Sequence, residues 1–239
     1  ASTISEKLSP NEIHDISKEF PFYGYVDVRV GKDCNFVMFS NNDDLVARHY
    51  LWNGNNSYES TTLKLWKTLA EKSKGVIDVG TYTGVFSLTA AMSNPTIKVF
   101  AFEALDRAYN RLQVNKLVNN AHRIVTFNRA VSNECGLVEF KVFVGENVLT
   151  TGSSLFDSEL RNAHEVKQVQ AVTLDSMHEL SHCDLVKIDA EGAEHLVLQG
   201  GYTFFKTNKP DIIMEVLQSA HVRELTKFFE DTGYNFYSL

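Results

Sequence analysis

From Tyr58 onward the chain alternates apolar segments of two kinds, and that alternation limits its fold more than any other feature. Leu63, Trp66, Leu69 and Ala70 recur at helical spacing, and the apolar run at 75–79 has the length of a strand buried on both faces. The two patterns then repeat. Helices are expected at 83–92, 106–118, 193–198 and 220–230, and strands at 97–102, 124–127, 184–188, 211–216 and 235–237. Such succession predicts parallel strands joined by crossovers, hence a Rossmann-like, doubly wound, mostly parallel α/β sheet. Two β-rich runs, 137–144 and 167–172, interrupt it around a polar loop and read as an insertion. Residues 1–57 are irregular, with alternation only at 25–30 and 35–40, and are expected to form an N-terminal cap on a domain spanning 58–239.

The balance of 30 acidic against 23 basic residues, a formal charge of -7, disfavours nucleic acid as a partner. Cys34, Cys135 and Cys183 are odd in number and scattered, which argues against a disulfide framework or a thiolate zinc site and for a reducing compartment. No apolar run reaches the roughly 18 residues of a membrane span, and the polar start lacks the order of a signal peptide. A soluble, cytoplasmic protein that meets neither membrane nor nucleic acid is the expectation.

The strand ending in Val76-Ile77-Asp78-Val79 runs into Gly80-Thr81-Tyr82-Thr83-Gly84, a turn opening a helix. In a doubly wound sheet ligands bind beyond the carboxyl ends of the strands, and glycine lets the backbone approach them. A pyrophosphate cradle wants a middle glycine where Tyr82 stands, so a dinucleotide is disfavoured. A sulfonium nucleoside with an amino-acid tail suits Asp78 better, since a carboxylate accepts from the tail's ammonium. About 20 residues after the turn, Glu103 ends the next strand, where an acidic side chain takes both ribose hydroxyls.

Six segments in this order, DVGTYTG (78–84), AFEA (101–104), NRAVS (128–132), TLDS (173–176), KIDAEGAE (187–194) and KPDIIMEV (209–216), resemble the FkbM-type methyltransferases over roughly 58–217. The resemblance implies a class I methyltransferase fold, S-adenosylmethionine as cofactor, and O-methylation of a small-molecule or glycan acceptor, commonly a sugar or polyketide hydroxyl. By the resemblance Asp78, Gly80 and Gly84 line the methionine and ribose region. Glu103 holds the ribose with Ala104 beside it, and Ala130 lies near the adenine next to Arg129. Tyr58 and Glu59 match the family's Tyr-Glu entry to the first helix. Thr81-Tyr82-Thr83 departs from the family's usual residues.

For the chemistry, Lys187 and Asp189 alternate onto one face as their strand ends, and Glu191 follows in the turn. Asp189 and Glu191 are the candidates for general base or acceptor orientation, with Lys187 as their partner and Asp189 also reaching the cofactor. Either carboxylate can instead cap the next helix. Ser154, His195 and Glu215 are candidate acceptor contacts. A carboxylate cluster of this kind could hold Mg²⁺, but the resemblance does not require a metal and no ligand set is assigned. His178-Glu179-Leu180-Ser181-His182 matches the zinc-protease spacing, yet a buried strand begins at once after it, which is the wrong context. The alternatives to a methyltransferase are a nicotinamide-dependent oxidoreductase and a non-catalytic module that keeps the cofactor fold.

Overall fold

The computed structural model describes residues 7–56, 58–142, 149, 165–217 and 221–238. Helix α1 (Pro10–Glu19) starts at a capping box in which Ser9 and Glu12 satisfy each other's amides. Strands β1 (Tyr23–Val30) and β2 (Cys34–Asn41) form an antiparallel hairpin closing at Val30 and Cys34. Helix α2 (Leu45–Asn53) follows, capped by Asp44, whose carboxylate accepts from the Ala47 amide at 3.0 Å. Helix α3 (Ser60–Ala70) leads into the sheet.

The central sheet takes β3 (Gly75–Val79), β4 (Lys98–Phe102) and β5 (Ile124–Phe127), with α4 (Val85–Ser93) and α5 (Asp106–Val118) between them. A smaller sheet of β6 (Ala130–Val131), β7 (Gly136–Val142) and β8 (Glu165–Val172) comes next in the chain. Then β9 (Leu185–Ile188), α6 (Glu194–Gly200), α7 (Tyr202–Asn208), β10 (Asp211–Met214) and α8 (Val222–Thr232) complete it. The five-stranded order is β10-β9-β3-β4-β5, and every pairing is parallel. The order reverses beside β3, the place where open α/β sheets leave a crevice.

Alternation along the strands divides the core. Val76, Val99 and Leu185 face a cluster shared with Trp66, Leu88 and Leu112, while Ile77, Phe100 and Val186 face Leu198, Phe205 and Phe228. The N-terminal hairpin lends Val26, Val28 and Met38 to the first cluster. Each such side chain contributes about 1.5–3 kcal/mol on burial, so the cap is fused into the domain's core.

Three expectations fail here. Residues 10–19 and 45–53 are helices where irregular chain was expected, and 202–208 is a further helix. α1 buries only Ile13 and Ser17, too thin a stripe to show in the sequence. The strand expected at 235–237 does not form: the chain leaves α8 through left-handed Gly233, and Phe236 and Tyr237 are 74% and 89% exposed with no ladder partner among the described residues. Three residues are too few to carry a period.

Candidate functional site

The turn after β3 is built by backbone contact. Gly80 has φ +72°, and a Cβ there would lie 1.8 Å from the Asp189 carbonyl oxygen, so no other residue fits. The Gly80 and Thr81 amides donate to the Phe102 carbonyl at 3.1 and 3.0 Å, which locks the turn to the end of β4. Asp78 lies fully buried beneath it and accepts from the Thr81 and Ser87 hydroxyls at 2.7 and 2.6 Å. Both hydroxyls meet Oδ2, while Oδ1 is buried without a hydrogen-bond partner, and Asp78 is not among the residues lining the cleft above. Gly84, at φ +100°, packs on Leu112 and likewise stays below.

Above the turn lies a solvent-open cleft of about 730 Å³. One end centres on Glu103, 8% exposed, whose carboxylate oxygens accept from the Tyr82 amide at 3.0 Å and the Leu105 amide at 2.8 Å. Burial raises its pKa to about 7, against the pull of those amides. Ala104, Leu105, Ala130, Val131 and Phe140 give this end small and apolar walls, with Arg129 at the rim. A carboxylate acceptor beside small, apolar walls is a combination that suits the hydroxyls and flat ring of a nucleoside.

The other end is charged. Lys187, opposite Asp78 in the ladder, is 5% exposed and reaches from under the cleft to Asp189 at 2.9 Å, its ammonium lying 4.6 Å over the Phe86 ring. Burial pushes Lys187 down, but Asp189, Asp78 and Glu59 more than offset this and the net direction is up. The lysine therefore stays charged. Carboxylate oxygens of Asp189, Glu191 and Glu215 lie within 4.8 Å of one another, close enough to touch a single cation. Glu215 keeps an exposed flank, yet the enclosure of its carboxyl and then the charges of Asp189 and Glu191 push its pKa up. Glu191 sits in a left-handed backbone, φ +53°, and so do Glu59 (φ +40°) and Tyr82 (φ +52°). Strain of this sort collects at sites the surrounding fold over-determines.

The cleft thus brings together Tyr58, Gly80, Glu103, Ala104, Ala130 and Arg129 with Asp189 and Glu191. Glu59 stands behind Tyr58 at the start of α3. Neither Asp189 nor Glu191 caps α6, whose N-cap is Ala193 with no side-chain cap bond; Glu194 accepts from the Ala190 and Gly192 amides at 3.1 and 3.0 Å and so folds the loop before the helix. His195, a candidate acceptor contact, is not among the residues lining the cleft. It is 8% exposed and stacks on His221 at 4.0 Å, because its place on α6 turns it toward α8. Ser154 lies outside the described residues. The 178–182 motif forms only a short 3-10 turn at His178–Leu180, with His182 edge-on to Phe100 at 5.8 Å. The sequence reading missed the walls Val79, Phe102, Leu105 and Phe140. Apolar residues at strand ends look the same whether they line a core or a cleft.

A parallel sheet whose strand order reverses beside such a cleft is a doubly wound, Rossmann-like α/β fold, and it fits the class I methyltransferase fold. The methyltransferase FkbM domain model matches residues 78–236, and the chain belongs to that family of methyltransferases. With this the nicotinamide-dependent alternative is set aside. Similar solved structures include methyltransferase FkbM from Methylobacillus flagellatus KT, at 16% identity over 66% of this chain and 37% of that one, with a TM-score of 0.48. Others are a precorrin-6y C5,15-methyltransferase from Geobacter metallireducens GS-15 (13% identity, 74% and 73% covered, TM-score 0.46) and a SAM-dependent methyltransferase from Agrobacterium tumefaciens (10%, 88% and 59%, 0.46). The chain spans little more than a third of the Methylobacillus flagellatus protein. No curated protein matches it. No described helix is long and apolar enough to cross a membrane.

Proposed function

We propose that this chain is an S-adenosylmethionine-dependent O-methyltransferase acting on a hydroxyl of a sugar or glycosylated small molecule. The observation that carries the reading is the polarity of the cleft, with a nucleoside-type slot at Glu103 and a lysine-held carboxylate at Asp189. When bound, S-adenosylmethionine supplies a methyl group already activated by a sulfonium, so the chain's own task is alignment and proton handling. Glu103 holds the ribose hydroxyls with its free lone pairs while the Tyr82 and Leu105 amides keep it in place. Ala104, Ala130 and Phe140 enclose the adenine, and Arg129 closes the rim. Tyr58 and Glu59 border the methionine end.

At that end Asp189 orients the acceptor hydroxyl and takes its proton. Lys187 fixes the carboxylate through Oδ2, and Oδ1, buried without a hydrogen-bond partner, is the oxygen an acceptor hydroxyl would satisfy. Glu191 and Glu215 complete the acceptor contacts. The placement at 1–57 and 58–239 of a cap and a transferase unit, and a cytoplasmic location, belong to the same reading.

The test is a mass-spectrometric screen of cell metabolites and glycans for the gain of one methyl group on incubation with protein and S-adenosylmethionine. The Asp189→Ala, Glu191→Ala double variant is the control. A methyl ether formed from a hydroxyl-bearing acceptor by the wild type and lost in the double variant is expected. Unchanged turnover in that variant would remove the catalytic assignment, and cofactor binding without product from any acceptor would leave a binding module.

A further inference from the structure

The side chain of Tyr82 has no part in the chemistry just described, where only its amide serves Glu103, yet its backbone is one of the few non-glycine backbones with positive φ among the described residues. An aromatic residue at φ +52° is an outlier in a region that glycine adopts without steric cost. What the residue touches must offset that strain. Its amide donates to Glu103 Oε2 at 3.0 Å. Its hydroxyl donates to the Leu149 carbonyl at 2.9 Å and lies 3.5 Å from the Leu45 amide at the start of α2. Its ring packs against the cluster that holds the N-terminal hairpin and also against the one formed by Phe140, Val142 and Ala171 of the smaller sheet. Leu149 is itself 3% exposed, and its amide donates to the Asp43 carbonyl at 2.7 Å. Asp43 in turn is gripped by both guanidinium nitrogens of Arg111, at 2.9 and 3.2 Å.

We propose that Tyr82 is a positioning residue that clamps the carboxylate of Glu103 to the N-terminal cap and to Leu149, so that the nucleoside end of the cleft is set by contacts from three separate parts of the chain. The role of Glu103 as ribose holder rests on the function proposed above. The clamp itself does not, since it is a set of contacts within the chain. One consequence is linkage. If Leu149 and the turn dock together through Tyr82, a ligand held at Glu103 stabilises Leu149, and docking of Leu149 tightens the ligand by the same factor.

The experiment compares the wild type with Tyr82→Phe, which keeps the ring and loses only the hydroxyl, using Tyr237→Ala at an exposed site as control. Hydrogen exchange of the Leu149 amide, followed without ligand, is expected to be faster in Tyr82→Phe by roughly five- to tenfold, the worth of one buried hydrogen bond. S-adenosylmethionine is expected to slow that exchange in the wild type and to bind Tyr82→Phe several-fold more weakly. Unchanged exchange at Leu149 in Tyr82→Phe overturns the clamp, whether or not the cofactor binds. Faster exchange at Leu149 together with a wild type that binds no S-adenosylmethionine upholds the clamp and overturns the cofactor reading alone.

Discussion

The two ends of the cleft both present carboxylates, and they hold them by opposite means. Glu103 is surrounded by apolar walls and steadied by neutral backbone amides, which leaves it poised near neutrality with a pKa of about 7. Asp189 is steadied by a buried ammonium that stays charged. Burial among apolar walls lets Glu103 change its charge near pH 7 against the pull of its amides, whereas Asp189 is held in place by an ion pair to a buried lysine. The first arrangement suits reversible capture of a ligand's hydroxyls, and the second suits a base that must be ready whenever an acceptor arrives.

The largest effect expected from breaking this contrast is at the charged end. Asp189→Ala should lower kcat by about 10²–10⁴, the usual worth of a positioned base, with the S-adenosylmethionine dissociation constant changed only a few-fold. Steady-state kinetics beside a binding titration checks both. Lys187→Met comes next. It strands Asp189 and Asp78 without their buried cation, and denaturant unfolding should show a loss of about 3–5 kcal/mol. A loss below 1 kcal/mol would mean that the pair is not what holds this end together.

The amide-held end should show itself through pH. Only the ionised Glu103 can accept from the amides and from two ribose hydroxyls together, so affinity is present above pH 7 and lost as pH falls through that value. Between pH 8 and pH 6 the affinity of the wild type should fall about tenfold relative to Glu103→Gln, a ratio that cancels titration of the ligand itself. Asp44 offers a third case, buried under the cap and steadied by the Ala47 amide at a helix start, where burial raises its pKa from 3.8 to about 6. A raised carboxyl favours the folded state below its unfolded value and loses that contribution as pH rises through the folded one. Stability of the wild type relative to Asp44→Asn should therefore fall by about 1–2 kcal/mol between pH 5 and pH 8, read by thermal or denaturant unfolding at the two values.

How far the sequence revealed these two ends depended on what each end is made of. Strands such as Gly75–Val79 and Leu185–Ile188 were legible because burial on both faces leaves a mostly apolar run, broken only by Asp78 and Lys187, and Glu103 and Asp189 because each is the polar residue following such a run. Asp78 looked much the same, and only the structure shows Thr81 and Ser87 folding it under the turn. α2 was missed because its signal is tertiary: Arg48 and Tyr50 are buried against the cap in a helix that is not amphipathic in sequence. The stacking of His195 on His221 was not legible because helix phase, which decides which neighbour a residue faces, is not fixed by a seven-residue segment. Tyr82 counted only as an obstacle to a dinucleotide, since contacts with Glu103 and Leu149 lie far from it in the chain.

The central claim is that Glu103 holds the cofactor while Asp189 acts on the acceptor. It is tested most directly by calorimetric titration of S-adenosylmethionine into Glu103→Ala. Loss of hydrogen bonds to a charged acceptor should weaken binding by about 1.5–3 kcal/mol, roughly 10- to 100-fold, in a protein that still melts cooperatively. Binding as tight as that of the wild type would contradict the account.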